Sequence, residues 1–308
     1  MRAERVWLSL ILVAMGASWG LTIPLTKIKV GGGYLPFGLI FWDLVVSVIL
    51  LGAVILWRGH RLVLGRAALV MCLTVALIGT VLPNTASYAA AVHLPGGVMA
   101  IVLSLVPIFA FPVALLLATD RFSWVRFGGL LAGLAGVLLL VGPEASLPTR
   151  AMVVFIPLAM VAPALYGIEG NVVARFGMGG LNPVELLFGA SVLGVLLVGP
   201  LALATGQWID PRPPWGAPDA ALLATAVIHA AVYTSYVWMV GRAGAVFAAQ
   251  VSYLVTGFGV FWSMLLLSER YSGWIWAAMA LMMVGLFLVQ PRPKAALVAA
   301  APVPHDVR

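Results

Sequence analysis

Glu169, Asp43 and His229 are the residues of this chain best placed to do chemistry, because each interrupts a long apolar run. An ionisable group in hydrocarbon costs about 2.5–3.5 kcal/mol on insertion scales, so it must face a cavity or a partner. Glu169 stands in Tyr166-Gly167-Ile168-Glu169-Gly170-Asn171, about one and a half helical turns before Arg175. A carboxyl group there could exchange protons with a water-filled cavity and couple them to another solute. The competing reading is a carboxylate that snorkels to the interface or pairs with Arg175. Asp43, about two turns inside its run, is the second coupling candidate, unless it pairs structurally with Lys27. His229 could hydrogen-bond a solute or relay a proton; a buried histidine can equally be a packing residue with its own partner.

Polar and aromatic side chains recur in the same runs. The set expected to bind substrate in a central cavity is Trp19, Thr22, Asn84, Tyr88, Ser104, Tyr166, Asn171, His229, Tyr233, Tyr236, Gln250 and Tyr253, with Ser87, Trp238 and Ser252 nearby. Amides and phenols in hydrocarbon need partners, and a substrate can be one. Interhelical hydrogen bonds and the bilayer interface are the other options. Together the aromatic and amide content suggests a small polar organic solute with an apolar or planar part.

The elements that must position these residues follow from composition. Hydrophobic residues fill 63% of the chain and charged residues 9%, against about 25% charged in soluble domains. Runs of roughly 20 apolar residues recur, each long enough to cross about 30 Å of hydrocarbon. In lipid such runs must be helices, since no backbone group can be left unpaired. The net charge of +7 sits at run ends rather than in a basic stripe, which argues against nucleic acid. The single cysteine, Cys72, allows no intrachain disulfide and suggests no cysteine metal site. No metal or cofactor is expected.

The expected spans are 6–26, 36–57, 67–92, 96–118, 124–142, 151–174, 183–205, 218–240, 244–267 and 273–290. Arg2, Arg5 and the apolar stretch up to Gly16-Ala17-Ser18 resemble a signal peptide, but the run continues to about Thr26 and is taken as a retained first helix. With the N-terminus in the cytoplasm, twelve of the 17 basic residues fall on that side. Lys27, Lys29, Arg150, Arg212 and Arg270 fall on the other, the asymmetry of the positive-inside rule. Both termini are then cytoplasmic. Pro24, Pro83, Pro107 and Pro163 are expected to kink or hinge their helices. Gly129-x-x-x-Gly133 with Gly136 lets one helix approach another closely.

The chain also repeats itself. Leu116-Leu117-Ala118-Thr119-Asp120-Arg121-Phe122-Ser123 returns as Leu265-Leu266-Leu267-Ser268-Glu269-Arg270-Tyr271-Ser272, an offset of 149 residues that also relates Gly136 to Gly285. Leu35-Pro36-Phe37 aligns with Asn182-Pro183-Val184 and Trp19-Gly20 with Tyr166-Gly167 at 147, and Tyr88 with Tyr236 at 148. A five-span unit repeated in one chain must invert, because an odd number of crossings starts the second copy on the opposite side. The expected fold is therefore an all-α polytopic membrane protein of ten transmembrane helices in two inverted five-helix repeats. The first repeat is 1–147 and the second 148–290, followed by a disordered cytoplasmic tail, 291–308. Inverted repeats are frequent in secondary transporters, with the substrate near the midplane between the halves. Asp120-Arg121 and Glu269-Arg270 read as anchors and local ion pairs at helix ends, one pair on each side of the membrane.

Several of these features occur together in a known family. Gly16-Ala17-Ser18-Trp19-Gly20, Gly96-Gly97-Val98, Pro107, Asp120-Arg121 and the glycine-rich fifth span resemble, in that order, the EamA-type branch of the drug/metabolite transporter superfamily. The resemblance covers about residues 6 to 290. It implies ten helices around a central cavity and export or exchange of small metabolites, often amino acids or toxic cations, with no ATPase subunit. Two positions depart from the family pattern: Asp43 stands where an arginine is frequent in the second span, and Thr256 is the ninth-span counterpart of Pro107.

The function expected is proton-coupled export of a small metabolite by alternating access across a bacterial inner membrane. Its partners would be the solute, protons and the bilayer. An importer or exchanger is the alternative within that class. A membrane enzyme acting on lipid would need clustered acids, a His-rich motif or a nucleophile triad near the interface, and none stands out. A structural subunit is disfavoured by Asp43, Glu169 and His229, and no P-loop is present for ATP-driven transport.

Overall fold

The computed structural model describes residues 2–59, 65–142, 147–243, 247–248 and 250–289; the expected tail, 291–308, lies outside the described residues. Among the described residues the chain is helical, with no strand. Its helices are α1 (Arg2–Gly31), α2 (Pro36–Trp57), α3 (Arg66–Thr74), α4 (Leu82–His93), α5 (Gly96–Leu103), α6 (Val106–Leu116), α7 (Trp124–Val141), α8 (Ile156–Phe176), α9 (Pro183–Ala204), α10 (Ala217–Ala243), α11 (Val251–Leu267) and α12 (Gly273–Val289). Eight continuous stretches are long and apolar enough to cross a membrane, while α11 and α12 are shorter apolar helices of 17 residues each. At about 1.5 Å per residue the latter reach only about 25 Å. The ten expected spans thus appear as eight full-length stretches and two short ones.

Proline decides where the middle stretches break. A π-helical segment, Val75–Val81, joins α3 to α4, and the Leu82 N–H bonds to Leu77 O, five residues back. Pro83 follows immediately and has no N–H to return the ladder to α-helical spacing at that point. Pro107 likewise separates α5 from α6, across Ser104 and Leu105. Pro24 and Pro163 sit inside unbroken helices.

One boundary differs from expectation with consequences for the site. The first helix continues to Gly31 rather than ending near Thr26, so Lys27 and Lys29 belong to its last turns. Ile28 and Val30 supply the apolar positions that keep this end packed, and Val30 is buried. The chain turns only at Gly32 and Gly33, the latter at φ +85°, where a side chain would be strained.

Helix packing maps onto itself when the two halves are exchanged. α1 packs on α11 and on α10; its counterpart α8 packs on α6 and on α4. α10 packs on α2 as α3 packs on α9, while α2 with α9 and α7 with α12 are each paired with their own counterpart. The α7–α12 seam is made of small residues: a Cβ on Gly129 would stand 2.8 Å from Gly285 O, and one on Gly136 3.0 Å from Ala278 O. That closeness is what the glycine spacing requires.

Candidate functional site: two polar clusters and two mouths

The first cluster gathers around Glu169. On α8, Tyr166 and Glu169 lie three residues apart and so share a face. The half-buried Glu169 carboxylate sits against the π-helical segment, where a Cβ on Gly79 would stand 2.7 Å from its Oε1. A side chain at position 79 would make the acid shift. The Tyr166 hydroxyl donates to Asn84 Oδ1 of α4 at 3.3 Å, and Tyr233 of α10 lies in the electrostatic field of Glu169. One turn further along α10, Tyr236 meets Trp19 of α1 edge-on, with centroids 6.4 Å apart. Among the described residues none donates a hydrogen bond to Glu169, and Arg175 lies over the Phe176 ring rather than beside the acid. An acid so placed can bind a proton or an organic cation.

A crevice of about 640 Å³ lies between α3 and the end of α8. It is lined by Arg66, Ala67, Val70, Met71 and Thr74 of α3, by Val172 and Phe176 of α8, and by Gly179. Val172 and Phe176 are three and seven residues beyond Glu169, on the same helical face. Gly79 lies one π-helical turn beyond Thr74. We designate this end mouth A.

The second cluster is a buried ion pair. Lys29 of α1, with no exposed surface, places its Nζ 3.0 Å from Asp43 Oδ2 of α2. The Tyr88 hydroxyl of α4 donates to the same oxygen at 2.6 Å, and Lys29 Nζ reaches that hydroxyl at 3.4 Å and the ring centroid at 4.9 Å. Among the described residues none donates a hydrogen bond to the buried Asp43 Oδ1. His229 of α10 lies within electrostatic reach of both charges. Asp43 therefore pairs with Lys29 and not with Lys27, whose Nζ donates to Ala91 O at 2.6 Å. The correction follows from the longer α1: two further residues turn Lys29, not Lys27, toward α2.

Beyond this pair lies mouth B, and it is shut. Gly32 packs directly on Pro218 of α10, and the Tyr34 hydroxyl donates to Asp219 Oδ1 at 2.5 Å. That bond pushes the Tyr34 phenol up to about 12. Glu269 accepts the Gly96 and Gly97 amides at the start of α5, at 2.8 and 3.2 Å, and Tyr271 holds both Gly97 N and Glu269 Oε2. Glu269 thus caps a helix of the other half instead of forming the expected local pair with Arg270. Asp120 pairs with Arg126 of α7 and also accepts the Arg121 backbone amide.

The two mouths are related positions, and a glycine packs closely at each: a Cβ on Gly179 would stand 2.7 Å from the Ala68 backbone of α3, as one on Gly32 would stand 2.2 Å from Pro218. At the repeat offset of 147, Lys29 corresponds to Phe176 and Asp43 to Ala190. Lys29 is 0% exposed and Phe176 is 64% exposed.

The remaining expected residues fall elsewhere. Asn171 spends its amide on Ala110 O and Gly167 O, tying α8 to α6. Thr22 bonds Trp19 O, and Ser104 bonds Ile101 O. Gln250 is exposed at the N-cap of α11 rather than inside a helix, with Tyr253 in the first turn that follows. The structure so unites Asn84, Tyr166, Glu169 and Tyr233 in one cluster, and Asp43, Tyr88 and His229 with Lys29 in another. Lys29 was missed as a site residue; the unbroken apolar alternation Ile28–Val30 was the signal that its helix continued.

The model of the EamA-like transporter family matches the chain twice, over residues 6–142 and 153–290. A crystal structure of a protein 18% identical to this chain has a TM-score of 0.62, covering 92% of this chain and 96% of the other, which shows a shared fold. No curated protein matches. With apolar helices of membrane-crossing length and a family match over both halves, this multi-pass membrane protein belongs to the EamA-like transporter family.

Proposed function

We propose that the protein is a secondary transporter that exports a small polar metabolite by alternating access, with Glu169 as its proton-coupling group. The observation that carries this is a half-buried acid, Glu169, that meets Gly79 of the first repeat and lies in the field of Tyr233 of α10, in a chain that matches the family model once in each half. In this reading the halves lie antiparallel, α11 and α12 complete ten crossings, and both termini face the cytoplasm of a bacterial inner membrane. Mouth A then faces the cytoplasm and mouth B the opposite side. Opening the two in turn would be the motion that moves a site from one side to the other. Trp19, Asn84, Tyr166, Tyr233 and Tyr236 would line the solute's path beside Glu169, which suits a polar solute with a planar or apolar part.

The test is flux in proteoliposomes for a panel of amino acids and organic cations, with and without a pH gradient. The native protein should move at least one solute faster when a proton gradient opposes it. Glu169→Gln should abolish that gradient dependence while exchange without a gradient persists. Unchanged gradient-driven flux in Glu169→Gln would remove the coupling assignment.

A further inference from the structure

We propose that the crevice between α3 and the end of α8 binds one anionic phospholipid, with the head-group phosphate on Arg66 and Arg175 and an acyl chain in the crevice. The site is separate from Glu169 and does not depend on transport. It is a groove with positive charge at one end and none along its length. The charged end lies at the membrane surface: Arg66 opens one membrane-crossing stretch, and Arg175 stands one residue before the end of another. Arg66 lines the crevice, and the Arg175 guanidinium lies 5.7 Å from the ring centroid of Phe176, which lines it too. Both arginines are exposed, and among the described residues neither has a salt-bridge partner. A guanidinium stays charged and presents a planar fork of donors that matches a phosphate.

Away from that end the walls are apolar. They are made by Ala67, Val70 and Met71 of α3 and by Val172 and Phe176 of α8. The one hydroxyl, on Thr74, is spent on Val70 O at 2.8 Å, and no lining residue is acidic. A polar solute would find no partner along these walls, whereas a hydrocarbon chain needs none. Exposed Leu69, Val70 and Leu73 make this side of α3 a lipid-facing surface. From Arg66 to Thr74 the helix rises about 12 Å, most of the roughly 15 Å of hydrocarbon in one leaflet. The arrangement belongs to one end of the molecule. At the repeat offset of 147, Arg175 corresponds to Ile28 and Phe176 to Lys29, whose charge is taken up by Asp43. Basic pockets between helices on the cytoplasmic side bind anionic head groups, and mouth A is cytoplasmic in the proposed orientation. A lipid held there touches α3 of the first half and α8 of the second, beside the contact of Gly179 with the Ala68 backbone. It bridges the halves.

The experiment is a lipid titration of the delipidated full chain, read by native mass spectrometry, with phosphatidylglycerol and phosphatidylcholine of identical chains. A basic residue near the membrane surface contributes about a fivefold factor toward an anionic lipid. The native protein should therefore hold one phosphatidylglycerol about 30-fold more tightly than phosphatidylcholine. Arg66→Gln and Arg175→Gln should each weaken phosphatidylglycerol about fivefold and together about 30-fold, leaving phosphatidylcholine unchanged. Val70→Trp keeps both arginines but fills the crevice, and should weaken phosphatidylglycerol about tenfold by overpacking. All three positions are exposed, so the variants should stay monodisperse. Glycerol phosphate, which carries the phosphate without the chains, should not bind at lipid concentrations. Equal affinity for the two lipids, or a native preference in the double arginine variant, overturns the site. Native affinity in Val70→Trp overturns it as well, since the chain would then lie elsewhere. Glycerol phosphate bound as tightly as the lipid would make the arginines a site for a free anion and sink the lipid assignment.

Discussion

Glu269→Gln is the perturbation whose size the structure allows to be worked through. The carboxylate accepts Gly96 N at 2.8 Å and Gly97 N at 3.2 Å, and the Tyr271 hydroxyl completes the arrangement by donating to Oε2. Glutamine keeps the shape but offers one acceptor oxygen. It retains the Gly96 bond in neutral form and turns a donor toward Tyr271, while Gly97 keeps its bond to the Tyr271 hydroxyl at 3.0 Å. Hydrogen bonds to charged groups contribute about 1.5–3 kcal/mol against about 0.5–1.5 for neutral ones. The negative charge also favours the start of α5, where the free amides point. The closed mouth B should lose about 1–2 kcal/mol, a factor of about 5–30 in its ratio to the open form. Spin labels on Leu35→Cys and Trp215→Cys, both exposed positions at mouth B, in a Cys72→Ala background read that ratio directly, and the accessibility of a cysteine at position 35 to a membrane-impermeant maleimide gives a second measure. A ratio unchanged within twofold in a well-folded variant would mean that the Glu269 cap persists in both states. It would then be a static helix cap and no part of the gate.

Gly79→Ala puts a Cβ 2.7 Å from Glu169 Oε1 and moves the carboxylate off the π-helical segment; the atoms met are the far end of a flexible side chain, so stability should change little. Gradient-driven flux should fall several-fold while the protein stays monodisperse, and full flux would show that the acid need not sit there. Tyr34→Phe removes the bond to Asp219 and should raise the open fraction of mouth B in the label assay. The native Tyr34 phenol stands at about 12, above the ordinary value of 10.0, so its contribution to closure is complete below about pH 10 and is lost as pH rises through about 12. The phenolate difference spectrum of native against Tyr34→Phe protein checks this. Gly32→Cys with Pro218→Cys, at a point of direct contact, should cross-link on oxidation, stop transport, and recover with reductant; transport through the cross-linked form would place the moving parts elsewhere.

What was legible in the sequence was whatever the bilayer dictates. Hydrocarbon demands long apolar helices, and the spacing of Gly129, Gly133 and Gly136 demands a close neighbour, so α7 could be foreseen with its seam. Pro107 marked a real break because a missing N–H is a local fact. Pro24 and Pro163 carry the same local defect, yet their helices run on, since neighbours and not the residue alone decide whether a freed carbonyl bends the chain. Lys29 was misplaced because a lysine near the end of an apolar run ordinarily snorkels to water; its burial depends on Asp43 and Tyr88, distant in sequence. The role of Glu269 was hidden for the same reason. Its neighbour Arg270 offered an obvious partner, while the amides it caps belong to residues 96 and 97, in the other half of the chain.

Duplication by itself would make the two mouths equivalent, and a carrier with equivalent mouths has no built-in preference for either side. The charges break that equivalence. Mouth B is closed by an ion pair and a charged helix cap, and the corresponding ion-pair positions at mouth A are Phe176 and Ala190, which can part without exposing a charge. Breaking a buried pair by removing one partner costs about 3–5 kcal/mol, because a charge is left uncompensated, so in the proposed transport cycle the Lys29–Asp43 pair favours closure of mouth B, and the uncharged Phe176 and Ala190 give mouth A no equivalent restraint.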